Sequence, residues 1–311
     1  MKKILILALV TLVIFSSGCI SGFELPFGQK QETQVSYGVV VNSFEPDFPE
    51  VESGDTAEIY MEIENNGGSK AADVYAYLYN LGDLQAEVRD HMFGDLEPPD
   101  ESVNLPGDVD TFTWKITTPE LPQGVSQVYT PKVRLMYKYY TIATKTIRLL
   151  TKDEYRRLRE KNQVPGGAGG TSVTKGPLGI TISTREPVII EGTDDTFKVF
   201  ININLVGSGS VFDPDTTYST PEDLKNEDFG KLKMKIEAPG ASAVTGECSA
   251  LNNYEKEELR RGQTLTYTCE LKPESFATMT EIPITVTLYY GYLNDYSTML
   301  KVVGTGEIQG P

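Results

Sequence analysis

One histidine and three cysteines in 311 residues leave little for imidazole or metal chemistry. Zinc patterns of the H-E-x-x-H or C-x-x-C kind are absent, and a Ser-His-Asp arrangement would have only His91 to draw on. His91 sits in Arg89-Asp90-His91-Met92-Phe93, which reads as loop and shows no partner. Positive charge is also short. The chain carries 28 Lys and Arg against 44 Asp and Glu, a net charge of −16. Such a chain repels phosphate backbones, which excludes nucleic-acid binding as its main activity. The glycines of 166–170 are followed by no Gly-Lys-Ser/Thr, so they do not form a phosphate-binding loop. Asn-x-Ser/Thr sequons are missing, so glycosylation by that route is not expected. This inventory predicts neither an enzyme nor a resident cofactor.

Long apolar runs are scarce as well. Ile4 to Phe15, twelve residues broken by Thr11, follows Lys2 and Lys3. A bilayer span needs about 20 residues, so this run reads as the h-region of a signal peptide. Ser16-Ser17-Gly18-Cys19 comes next. The stretch resembles a lipoprotein signal peptide, whose lipobox ends in a small residue and then Cys; Ser16 stands where Leu is usual. The resemblance implies that residues 1–18 are removed. It also implies that Cys19 carries lipid and anchors the protein to the outer face of the cell membrane. Residues 19–34, without periodicity, read as a tether. With Cys19 assigned to lipid, Cys248 and Cys269 remain as an even pair. They are either a disulfide, which an oxidising exterior permits, or two buried thiols. A disulfide there would close a loop of about 22 residues and stabilise by about 3 kcal/mol.

The rest of the chain alternates β-branched and aromatic residues with polar ones, the mark of half-buried strands. Two such regions appear, 35–150 and 176–305. The first contains candidate strands at 35–43, 56–65, 72–81, 109–117, 132–140 and 144–150, and the second at 178–183, 196–205, 232–238, 264–271, 284–290 and 297–303. Gly107 to Trp114 lines up with Gly262 to Tyr267, Pro131 to Tyr139 with Pro283 to Tyr290, and Thr146 to Leu150 with Met299 to Val303. The pattern predicts an all-β protein built as two tandem Ig-like β-sandwich domains, the product of a duplication.

Val51 to Val74 contains a Gly-bearing turn, an alternating strand, Asn65-Asn66-Gly67-Gly68 and a further strand. It is similar to the CARDB-like, S-layer-associated Ig-type modules of archaeal cell surfaces. The resemblance implies a seven-stranded sandwich and an extracellular location, without implying a ligand. Ile59, Met61 and Ile63 should point inward, and the Asn-Gly run reads as a hairpin turn. Between the regions, 151–175 reads as a connector. Thr151-Lys152-Asp153-Glu154 is a capping box that starts a short basic helix over 152–163, and Pro165 to Gly170 reads as a flexible joint.

Two constellations are candidate sites. The acidic insertion 212–230 offers Asp213, Asp215, Asp223 and Asp228 as possible Ca²⁺ ligands, although no EF-hand spacing is met. Thr220-Pro221-Glu222-Asp223 also reads as a helix start, which uses acids without metal. Late in each half, Tyr137, Tyr139 and Tyr140 and then Tyr289, Tyr290 and Tyr292 suit protein or glycan contacts if exposed, and a sheet core if buried. The functional expectation is a lipid-anchored, non-enzymatic surface module. Its partners would be the membrane, through the anchor, and other cell-envelope proteins. The alternatives are a glycan- or solute-binding accessory of a transporter or surface enzyme, or a hydrolase.

Overall fold

Period-2 alternation makes strands wherever one face can be buried, and the described residues form almost nothing else. The computed structural model describes residues 38–305 except 219, 221–222 and 245–247, all within one compact unit, Val35–Pro311. Cys19, the signal peptide and the tether lie outside the described residues. The first half forms β1 (Val39–Pro46), β2 (Glu50–Glu52), β3 (Thr56–Asn65), β4 (Ala71–Tyr79), β5 (Gln85–Ala86), β6 (Asp90–Leu96), β7 (Val109–Thr117), β8 (Ser126–Tyr129) and β9 (Lys132–Thr151). Helix α1 (Lys152–Glu160) follows. The second half forms β10 (Ser172–Val173), β11 (Leu178–Thr184), β12 (Val188–Ile190), β13 (Phe197–Leu205), β14 (Ser210–Phe212), β15 (Lys231–Glu237), β16 (Ala241–Ala243), β17 (Glu255–Glu258), β18 (Thr264–Pro273), β19 (Met279–Ser297) and β20 (Leu300–Val303).

The halves repeat one plan. A four-stranded sheet of order β1-β3-β7-β5 has its counterpart in β11-β13-β18-β16. Ile59, Met61 and Ile63 of β3 are fully buried, as expected, and so are Val199, Ile201 and Ile203 of β13. Both sheets pack on the same face of a nine-stranded sheet with the order β17-β15-β19-β9-β4-β6, to which β10, β12 and β14 are added. The result is the expected all-β, sandwich-like architecture. Cys248 and Cys269 are bonded as a disulfide that ties Cys248 to β18.

The connection between the halves differs from the sequence reading. β9 and β19 pair antiparallel from Met279↔Leu150 to Ser297↔Lys132, so the nine-stranded sheet runs through both halves. β12 of the second half adds to β9, and β20 returns to lie between β2 and β8 of the first. The glycine segment is held rather than free. Arg148 donates to the Gly166 carbonyl at 3.0 Å, and the Glu186 carboxylate fills the space a Cβ on Gly167 would need. Main-chain pairing along nineteen residue pairs therefore replaces the expected joint, and the halves form one body.

Three further details correct the sequence reading. β3 and β4 belong to different sheets, so Asn65 to Gly68 is a corner between layers and not a hairpin turn. Buried Asn65 makes that corner. Its side-chain amide donates to Ser69 O and Leu96 O, and its oxygen accepts from Gly67 N. Thr146 to Leu150 continues β9, whereas Met299 to Val303 crosses to the other half, so these two segments are not equivalent. The pairing also fixes the repeat's register. Ala72 of β4 faces Lys138, and Phe212 of β14 faces Gly291. Lys138 thus corresponds to Gly291, and Tyr137 and Tyr139 to Tyr290 and Tyr292. Matching Pro131 with Pro283 is one residue out, and a one-residue slip moves every side chain to the opposite face.

The same pairing explains the acidic insertion. β14 ends opposite Gly291 and β15 is in register from Lys233 opposite Tyr289. Together they are the counterpart of β4, interrupted by the insertion. At the equivalent point, between Ala72 and Tyr75, β4 has only a bulge, with Asp73 at φ 52°.

Helix α1 starts as its capping residue dictates: Thr151 Oγ1 accepts from Glu154 N at 3.4 Å. It ends at Glu160, three residues before the expected Gln163. None of its residues is buried, and Arg156 and Arg157 pair with Asp153 and Glu154 on the helix itself.

Candidate functional site

Alternation along β9 and β19 sends the six candidate tyrosines to opposite faces. Tyr137, Tyr139, Tyr290 and Tyr292 are fully buried in the core beneath the four-stranded sheets. They cannot form a binding surface, which corrects that part of the sequence reading. Their hydroxyls are instead bonded within the protein. Tyr137 accepts from Val39 N at 3.2 Å. Tyr139 accepts from Ser69 N at 3.0 Å and donates to Lys175 O at 3.1 Å. Tyr290 bonds Thr141 Oγ1 at 2.7 Å, and Tyr292 accepts from Gly209 N at 2.6 Å. Burial pushes the Tyr139 and Tyr292 phenols up to about 12 and those of Tyr137 and Tyr290 well above their ordinary value, so all four stay neutral.

Tyr140 and Tyr289 are on the other face. Directly opposite each other across the ladder, they stack with ring centroids 4.4 Å apart and planes at 16°. Tyr140 is 37 % exposed. Burial and then the Tyr140 neighbour push the Tyr289 phenol up to about 12. The next rows are Ile142 opposite Thr287, then Thr144 opposite Thr285, with the two threonine hydroxyls 3.2 Å apart. Ile142 is exposed, although its neighbour Thr141 is fully buried. The Arg148–Glu281 ion pair closes one end of this strip at 2.8 Å. Because β9 supplies one side and β19 the other, the strip exists only where the halves join.

The acidic insertion closes the other end. Phe212, Tyr218 and Leu224 pack with Tyr75, Met136 and Leu293, a second apolar cluster on the outer face. Tyr218 donates to the Asp73 carbonyl at 2.9 Å. The four acids proposed for Ca²⁺ are used within the protein. Asp213 pairs with Lys256 at 3.0 Å, and Asp215 with Lys233 at 2.6 Å and Lys256 at 3.1 Å. The two lysines hold the Asp215 carboxyl below its ordinary range. Asp223 and Asp228 accept from Thr220 N and Lys225 N, each at 2.8 Å. Among the described residues no group of three or more His, Cys, Asp or Glu is placed to hold a metal. The expected helix start at Thr220-Pro221-Glu222-Asp223 lies partly outside the described residues; a 3-10 turn forms at Asn226–Asp228.

His91 is on strand β6, not in a loop. Its ring stacks on Phe112 at 3.7 Å and meets Phe93 edge-on at 4.6 Å. Burial lowers its pKa below 6.5, against the opposing pull of Asp110 and Asp90. Below 6.5 the unfolded chain therefore binds more proton than the folded one. The contribution of His91 to stability is complete above that pH and is lost as pH falls through the lower folded value. An NMR titration of the lone imidazole should give a midpoint below 6.5 that rises in Phe112→Ala, and a midpoint at or above 6.5 in the intact protein would contradict the placement.

Two clefts open on the surface elsewhere. One, of about 640 Å³, is lined by Thr151 to Glu154, Ile190 to Thr193 and Pro273 to Thr278. Another, of about 740 Å³, lies between Gly67-Gly68, Glu97 to Ser102 and Val173 to Lys175. Neither contains any of the candidate tyrosines. Ile142, Thr144, Thr285 and Thr287 were missed as surface candidates. Their signal is an exposed Ile next to a buried Thr, an inversion of the usual alternation.

No protein family matches the chain, and no curated protein matches it. Among solved structures, the D0-D1 domain of intimin is similar at 8 % identity and a TM-score of 0.20, covering 85 % of this chain and 98 % of its own. Red sea bream transglutaminase is similar at 7 % identity and a TM-score of 0.19, covering 85 % of this chain and 31 % of its own. The Enterococcus faecalis MSCRAMM ACE, described as binding its ligands by the collagen hug model, is similar at 10 % identity and a TM-score of 0.16, covering 88 % of this chain and 98 % of its own. At such TM-scores these likenesses carry no argument about function. Among the described residues, no helix is long and apolar enough to cross a membrane.

Proposed function

We propose that this chain is a non-enzymatic binding module held outside the cytoplasm, with the Tyr140–Tyr289 strip as its contact surface. The carrying observation is that stacked pair, Tyr140 exposed and Tyr289 half-buried, on a sheet face shared by both halves. A surface laid across two interlocked halves is rigid, and rigid aromatic contacts lose little entropy on binding. The Cys248–Cys269 disulfide supports an oxidising location. The lipobox-like Ser16 to Cys19 supports a lipid anchor on Cys19, and cell-envelope proteins are the partners such a location offers. Full-length Tyr140→Ser/Tyr289→Ser should fold normally but bind isolated cell envelopes about 10-fold more weakly, the loss expected of a contact worth about 1.4 kcal/mol. Unchanged binding would remove the strip from the reading. Separately, Cys19→Ser should release the protein from membranes, and retention would contradict the lipid anchor.

A further inference from the structure

The strip has a pseudo-symmetric twin. β9 and β19 are equivalent strands of the two halves and run antiparallel, with Lys138 opposite its own counterpart Gly291. The repeat register therefore exchanges the Met136–Leu293 row with the Tyr289–Tyr140 row. Both rows lie on the outer face, one on each side of the Lys138–Gly291 pair.

The two beds are covered unequally. Phe212, Tyr218 and Leu224 of the second half pack over Met136, Leu293 and Tyr75. The contacts are tilted and edge-on: Tyr218 meets Phe212 at 86° and Tyr75 at 59°. Among the described residues the first half supplies no matching cover, because its β4 has the Asp73 bulge where β14 and β15 are parted by the insertion. The Tyr140–Tyr289 bed, with Tyr140 exposed and Tyr289 half-buried, is therefore the more open copy of a place that accepts an aromatic-bearing loop.

We propose that the more open bed takes a loop of a partner protein that presents aromatic and branched apolar side chains, as Phe212, Tyr218 and Leu224 do on the twin. This rests on the reading of the strip as the contact surface. Ring geometry favours such a loop over a sugar. Stacked at 4.4 Å, Tyr140 and Tyr289 cover one face of each other. Ring edges and hydroxyls remain, and these suit edge-to-face aromatic contacts. The Thr144, Thr285 and Thr287 hydroxyls offer donors and acceptors to the loop's main chain.

The twin also supplies a probe: a synthetic peptide with the sequence of Ser210 to Leu224. It is titrated into the full chain with labelled tyrosine rings, beside a panel of neutral and acidic oligosaccharides. The expected result is a saturable shift of the Tyr140 and Tyr289 signals by the peptide. A peptide with Ser at the Phe212, Tyr218 and Leu224 positions should bind at least about 10-fold more weakly. Saccharides should move neither ring. Shifts by a saccharide and not by the peptide would overturn the protein-loop proposal while keeping the strip as a binding surface. Shifts confined to Tyr75 and Tyr218, an exchange of the peptide with its own copy, would overturn it as well. If neither probe moves the rings, and envelope binding also survives Tyr140→Ser/Tyr289→Ser, both the proposal and the reading beneath it fail.

Discussion

Val286→Pro should unfold both halves together. Val286 is fully buried in β19 and sits between Ala143 of β9 and Ile236 of β15. Proline cannot donate to the ladder, and its ring does not fit a central strand. The expected loss is about 3 kcal/mol or more from the backbone alone, with the packing defect added. The only tryptophan reports the distant consequence. Trp114 is buried in β7 of the first half, opposite Ile59. Denaturant unfolding followed by Trp114 fluorescence should shift to markedly lower concentration, although the substitution is in the second half. An unchanged Trp114 transition beside a weakened second half would show that the two sandwiches are independent.

Replacing both Cys248 and Cys269 with Ala should lower stability by about 3 kcal/mol, the chain-entropy value for a loop of this length. The crosslink joins residues 21 apart in sequence. Cys269 is fully buried on β18 opposite Val199, and Cys248 is nearly so. Reductant should therefore act slowly on the folded protein and quickly on the unfolded one. Because the halves share a core, the Trp114 transition should again move with the loss. A urea midpoint within error of the native one would mean that the disulfide adds nothing to the fold.

The strands were legible because alternation and burial coincide in them. Ile59, Met61 and Ile63 declare their face, and Thr151 declares the start of α1. The length of β9 was not legible, and the reason is local. Tyr140-Thr141-Ile142-Ala143 reverses the expected polarity, with Thr141 buried against the Tyr290 hydroxyl and Ile142 left outside. Read as a sequence, that reversal ends one strand and begins another. In the structure it is the middle of a single strand and the site of the open strip. The buried tyrosines misled for a related reason. A phenol fits a pleated surface or a core equally well, and only the distant main-chain groups at Val39, Ser69 and Gly209 decide between them. The Asn-Gly corner reads as a hairpin in sequence because its residues suit any tight turn. Which sheet each flanking strand joins depends on partners far away in sequence.

The central claim is that the two halves are one cooperative body. Scanning calorimetry of the chain from residue 35 tests it most directly. A single unit of this size should unfold in one transition of about 190 kcal/mol near 60 °C, with calorimetric and van't Hoff enthalpies equal. Two resolved transitions of about 90 kcal/mol each would contradict it, because they would mean that the long β9–β19 ladder does not couple the halves.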